Sequence, residues 1–117
     1  MNIESLREYC LSLPQVTEDL PFGPETLVFR VAGKIFLLVS LDEDQLSFNV
    51  KCDPELAEEL RNEYPGRVLP GYHMSKKHWN TIKPGGALGD SLLRDWINHS
   101  YTLVLASLPK KTRDMLS

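Results

Sequence analysis

Three apolar segments with the period of a β-strand follow one another with only turns between them. They are Thr26-Leu27-Val28-Phe29-Arg30-Val31, Lys34-Ile35-Phe36-Leu37-Leu38-Val39-Ser40-Leu41 and Gln45-Leu46-Ser47-Phe48-Asn49-Val50. Ala32-Gly33 and the acidic run Asp42-Glu43-Asp44 connect them. Connections this short cannot carry a parallel crossover, so the segments pair as an antiparallel meander. In the third segment Leu46, Phe48 and Val50 alternate with Ser47, Asn49 and Lys51. The alternation predicts one apolar and one wet sheet face, and helices must cover the apolar one.

Those helices are readable on either side of the meander. Asn2 is placed to cap a helix in which Ile3, Leu6, Cys10 and Leu13 recur at helical spacing until Pro14. Val16 to Gly23 reads as an extended connection. Asp53-Pro54 is an N-cap followed by proline at the first helical position, and Leu56, Ala57 and Leu60 form the apolar side of that second helix, which stops at Pro65-Gly66. Arg67-Val68-Leu69 returns to the sheet. After Pro70-Gly71, Ser75 caps a single turn through His78, and Trp79 to Lys83 forms a short strand. Asp90 begins the longest helix, with Leu93, Trp96, Ile97, Tyr101, Val104, Leu105 and Leu108 in one stripe. A last helix runs from Lys110 to Leu116. The expected architecture is a single α+β domain, residues 1–117, of two layers: an antiparallel sheet covered by helices on one face. At 42% hydrophobic and 25% charged residues, a disordered chain is excluded.

The longest apolar run, Ile35 to Val39, is far too short to cross a bilayer, and the start Met1-Asn2-Ile3-Glu4 lacks the basic and apolar blocks of a signal peptide. The expectation is a cytoplasmic protein with no membrane partner, in which Cys10 and Cys52 are reduced thiols. Their lone placement matches no zinc or redox spacing, and no cofactor is expected. Nothing in the sequence specifies an oligomer, and a monomer is expected.

Charge is unevenly distributed. Residues 1–60 hold four basic against twelve acidic side chains, a net of −8, whereas residues 61–83 hold Arg61, Arg67, Lys76, Lys77 and Lys83 against Glu63, a net of +4. The basic segment overlaps the stretch Pro70 to Lys83, which also contains Tyr72, His73, His78 and Trp79. Two readings compete there. In one, Arg67, Lys76, Lys77 and Lys83 neutralise phosphates while an aromatic ring stacks on an unpaired base. In the other, the lysines solvate a turn and the same surface holds a small ligand or a protein. Met74, Trp79, Ile82 and His78 are expected to face the core, with Trp79 as an anchor on the long helix. Catalysis has little support. His73 and His78 are five apart with no Cys or carboxylate between them, which is no zinc pattern, and Ser75 has nothing that marks it as an activated nucleophile. Gly85-Gly86 is explained by turn geometry.

The block His73-Met74-Ser75-Lys76-Lys77-His78-Trp79-Asn80-Thr81-Ile82, followed by Asp90 and by Ser100-Tyr101, resembles the MmcQ/YjbR family. Leu6-Arg7-Glu8-Tyr9-Cys10 and Leu108-Pro109-Lys110-Lys111 extend the resemblance over nearly the whole chain. For fold it implies a CyaY-like (frataxin-like) arrangement. For function it implies a DNA-binding role through a "double wing" motif. Iron binding by analogy with frataxin does not transfer, because the first helix offers only Glu4 and Glu8 beside Arg7. The sequence therefore predicts a non-catalytic protein without a metal, contacting nucleic-acid backbone through Arg67, Tyr72, His73, Lys76, Lys77 and Lys83. The alternative is a small-ligand or protein interaction module.

Overall fold

A computed structural model describes residues 1–71, 74–86 and 88–116 of the chain. The elements in order are α1 (Ile3–Ser12), β1 (Val16–Asp19), β2 (Thr26–Val31), β3 (Lys34–Ser40), β4 (Phe48–Lys51), α2 (Pro54–Glu63), β5 (Val68–Pro70), β6 (Trp79–Ile82), α3 (Asp90–Ala106) and α4 (Lys110–Leu116). The six strands form one open antiparallel sheet in the order β1-β2-β3-β4-β6-β5. The two-layer α+β arrangement is the one the alternation predicts.

Local chemistry fixes the helix starts. The Asn2 side chain accepts from the Ser5 amide at 2.8 Å while the Ser5 hydroxyl accepts from the Asn2 amide at 2.9 Å, a reciprocal cap on α1. Asp53 accepts from the amides of Glu55 and Leu56 ahead of α2, and Pro54 opens that helix. β1 was expected as an extended connection. It joins the sheet because Val16 to Asp19 pair with Val31 to Val28, and ion pairs Arg7–Glu18 and Arg30–Asp19 hold its charged side chains.

The core lies between α3 and the sheet. Leu93, Trp96, Ile97, Ser100 and Val104 are the buried stripe of α3, which packs across β2, β3 and β4, while α1 packs on β1 and α2 on β5. Phe29, Leu37, Val39, Phe48, Val50 and Ile82 meet that stripe from the sheet. Each such fully buried side chain stabilises the fold by roughly 1.5–3 kcal/mol. The β2–β3 ladder is irregular: Phe29 faces Leu37, but the next residue, Arg30, faces Ile35, so Phe36 is an extra residue on β3. The bulge lets Phe36 and Leu37 both be buried, and Phe36 meets Tyr101 of α3 edge to face at 5.5 Å. Ile35 is thereby aligned with the opposite, open face.

Candidate functional site

β6 is the strand on which the candidate site depends. Asn80 and Ile82 face the helices and are 1% exposed, whereas Trp79 and Thr81 alternate onto the open face, opposite Lys51 and Asn49 of β4. Trp79 is therefore not the core anchor that the sequence suggested. It is half-buried and apart from the core cluster, and Trp96 of α3 is the tryptophan within it. The reason is register: with Ile82 paired to Phe48 on the core side, residue 79 must point away. His78 is likewise exposed, and Met74 is half-buried on the open face rather than in the core. Only Ile82 of that expected inward set lies in the core.

Arg61, in the last turn of α2, fixes the entry to β6. Its Nε donates to Asn80 Oδ1 at 2.7 Å, and Nη2 donates to the carbonyl oxygens of Trp79, at 3.2 Å, and of Lys76. Asn80 Nδ2 in turn donates to Ala57 O at 3.5 Å. Inside this brace the amides of His78 and Trp79 donate to Ser75 O, closing the single turn through Lys76 and Lys77. Gly71 is required by the close approach of the strand: a Cβ there would stand 2.7 Å from Trp79 Cβ.

The expected basic residues fall into two groups. Lys76 and Lys77 are exposed on the turn before β6. Arg67 and Lys83 are adjacent at its other end, where the Lys83 amide donates to Arg67 O at 2.7 Å beyond the β5–β6 ladder. A strand length, on the order of 13 Å, separates the groups. The Arg67 guanidinium donates to Pro84 O at 3.3 Å and lies over Gly85, whose φ of +143° and lack of a side chain admit it. Among the described residues neither Arg67 nor Lys83 is in an ion pair. Tyr72 and His73, the remaining members of the expected site, lie outside the described residues.

Between the two groups the open face is hollowed into a cleft of about 730 Å³. Its lining includes Leu38, Asn49 and Thr81 from the central strands, Ile35 and Met74 toward one end, and Ser40, Asp42, Glu43, Ser47 and Lys83 toward the other, with Phe22 from the β1–β2 loop. Thr81 Oγ1 donates to Asn49 Oδ1 at 2.5 Å across β6 and β4. A smaller hollow of about 410 Å³ continues from Glu43, Ser47 and Lys83 to Arg67. Among the described residues, the Ser75 hydroxyl and His78 ring are exposed and share no hydrogen bond.

Sequence reasoning missed Arg61, Phe22 and Ser47 in this setting. Arg61 falls in the exposed half of a helical pattern, and only the fold brings it to the β6 turn. Phe22 is 65% exposed, and its setting in the turn-rich segment Pro21-Phe22-Gly23-Pro24 was the one signal the sequence held.

The YjbR family profile matches residues 11–103. The chain is 43% identical over 108 residues to YbdF of Escherichia coli O157:H7, covering 92% of this chain and 88% of that protein. It is 30% identical over 116 residues to YjbR of E. coli K12, covering 99% and 98%. The crystal structure of the Deinococcus radiodurans protein DR2400 superposes with a TM-score of 0.91 at 37% identity, over 98% of this chain and 87% of that one. A crystal structure of a Pseudomonas syringae protein gives 0.75 at 29% identity, over 88% and 98%. The resemblance first read from the His73 to Ile82 block thus extends over sequence and structure, and the chain belongs to the YjbR family.

Proposed function

We propose that the protein is a non-catalytic binder that contacts nucleic-acid backbone weakly and without sequence preference along β5 and β6. The supporting observation is the adjacency of Arg67 and Lys83, two exposed cations without a carboxylate partner among the described residues, one strand length from Lys76 and Lys77 on the same strand's entry turn. Trp79 is half-buried between the two groups on the open face, where a ring can stack on an unpaired base. The proposed contacts lie on a strand and its flanking turns, so affinity comes from phosphate neutralisation. Four contacts give a slope of log affinity against log salt of roughly −3.6 on duplex and −2.8 on a single strand, with Kd on the order of 10⁻⁴ to 10⁻⁶ M. Fluorescence anisotropy with duplex and single-stranded oligonucleotides at low salt tests this. Binding that weakens with that slope, and more steeply in the native protein than in Arg67→Ala/Lys83→Ala, is the expected result. An unchanged anisotropy at high micromolar protein overturns it.

A second reading, a non-catalytic ligand site, is favoured by the open-face cleft. Its volume falls in the range of small-molecule sites, about 300–1,000 Å³, and its carboxylates Asp42 and Glu43 repel a phosphate. Nucleic acid would therefore run beside the cleft and not into it.

A further inference from the structure

The cleft is polarised along its length. Ile35 and Met74 stand at one end, Leu38 lies along the floor, and the other end gathers Asp42, Glu43 and Lys83, with Arg67 reached through the adjoining hollow. That end thus offers two carboxylates and two cations. Asp42 has one oxygen engaged, accepting from the Ser40 hydroxyl at 2.6 Å. Glu43, Lys83 and Arg67 make no ion pair among the described residues, although all three line the same hollow. Opposite charges that share a rim without closing on each other leave room for a ligand carrying both signs.

A second observation lies deeper. Ser47 is only 7% exposed and lines both the cleft and the hollow, and its hydroxyl has no hydrogen-bond partner among the described residues. Asn49 has its Oδ1 engaged by Thr81, and its Nδ2 donors likewise lack a partner among them. Both side chains line the cleft, where these groups are accessible to a ligand.

We infer that the cleft binds a free α-amino acid with a large apolar or aromatic side chain. The ammonium meets Asp42 and Glu43, the carboxylate meets Lys83 and Arg67, Ser47 hydrogen-bonds the head group, and the side chain runs along Leu38 toward Ile35 and Met74. Phe22, from the β1–β2 loop, lines the cleft at the Ser40 end. The inference rests on the ligand-site reading and shares Lys83 and Arg67 with the nucleic-acid reading. A purely anionic ligand meets the two carboxylates, and a purely cationic one leaves Lys83 and Arg67 unpaired, so neither matches the rim.

The test is an amide NMR titration of the full chain with L-tryptophan, tryptamine and indole-3-propionate, which share a ring and differ in charge. L-tryptophan is expected to give saturable shifts at Leu38, Ser47, Asn49 and Lys83, with affinity about tenfold above either comparator. Glu43→Gln, at an exposed loop position, is expected to weaken L-tryptophan several-fold while leaving oligonucleotide binding intact or stronger. Equal binding of tryptamine or indole-3-propionate at these residues overturns the amino-acid assignment and leaves a ligand site standing. No saturable shift with any of the three up to about 10 mM overturns both.

Discussion

Ser100 Oγ, fully buried in α3, donates at 2.5 Å to the carbonyl oxygen of Phe36, the residue that is extra on β3 opposite β2. Ser100 Oγ in turn accepts from the Lys51 amide at 2.8 Å, at the end of β4. One hydroxyl thus satisfies two backbone groups on two strands and sets α3 against the sheet. The bulge in turn aligns Ile35 with the open face, so the shape of the cleft depends on a helix behind it.

Ser100→Ala leaves a buried carbonyl and a part-buried amide without this partner. At about 1–3 kcal/mol for each stranded group, the expected loss is about 2–6 kcal/mol, read as a lower urea midpoint with an unchanged m-value. A loss under about 0.5 kcal/mol would show that water or a neighbouring group replaces the hydroxyl.

Arg61 places the Lys76-Lys77 turn. Arg61→Ala removes hydrogen bonds to Asn80, Trp79 and Lys76 at once, and an overall loss of about 1–3 kcal/mol is expected. The local signature is faster hydrogen exchange at His78 and Trp79, whose amides close the turn on Ser75 O. Arg61→Lys should rescue little, since a single ammonium cannot reproduce the forked contact. Protection in the variant equal to that of the native chain argues that the turn closes on its own.

Gly71→Ala tests the approach of the chain to β6. A Cβ at that position stands 2.7 Å from Trp79 Cβ and 3.0 Å from Trp79 O, so backbone must shift. The expected cost is about 1–3 kcal/mol, accompanied by a change in Trp79 fluorescence, because Trp79 is half-buried at the contact.

The meander was legible because its three segments are joined by short turns, and the two-layer packing follows from the clean alternation of β4. Other features were not. The bulge at Phe36 is a property of pairing, since Ile35 to Val39 reads as an unbroken apolar run. β1 holds one apolar residue in four, so its pairing with β2 leaves no period to detect. Trp79 was misassigned because a four-residue strand has no frame of its own: its inward side is set by Phe48 and Val50 across the ladder. The expected basic site separated for a related reason. Residues 67, 76, 77 and 83 are near in sequence, but a strand between two of its members carries them to opposite ends.

The two thiols give a stability dependence whose sign follows from their burial. Desolvation pushes Cys10 up to about 12 and Cys52 up to about 11 from an ordinary 9.0. Tyr64 and Tyr101 are raised in the same direction, chiefly by desolvation. The unfolded chain therefore loses these protons at lower pH than the folded one. Their contribution to stability is fully present below pH 9.0 and is lost as pH rises from there through the folded values. The urea midpoint should thus be flat in this contribution near neutrality and fall between pH 9 and 11, and Cys10→Ala/Cys52→Ala should show a shallower fall from its own lower starting point. Native thiols should also react slowly with a disulfide reagent at pH 8 and at full rate in denaturant, since the thiolate is the reacting form. Rapid labelling of both cysteines in the native protein, or a midpoint that rises above pH 9, contradicts the burial of Cys10 on the inner face of α1 and of Cys52 between β4 and α2.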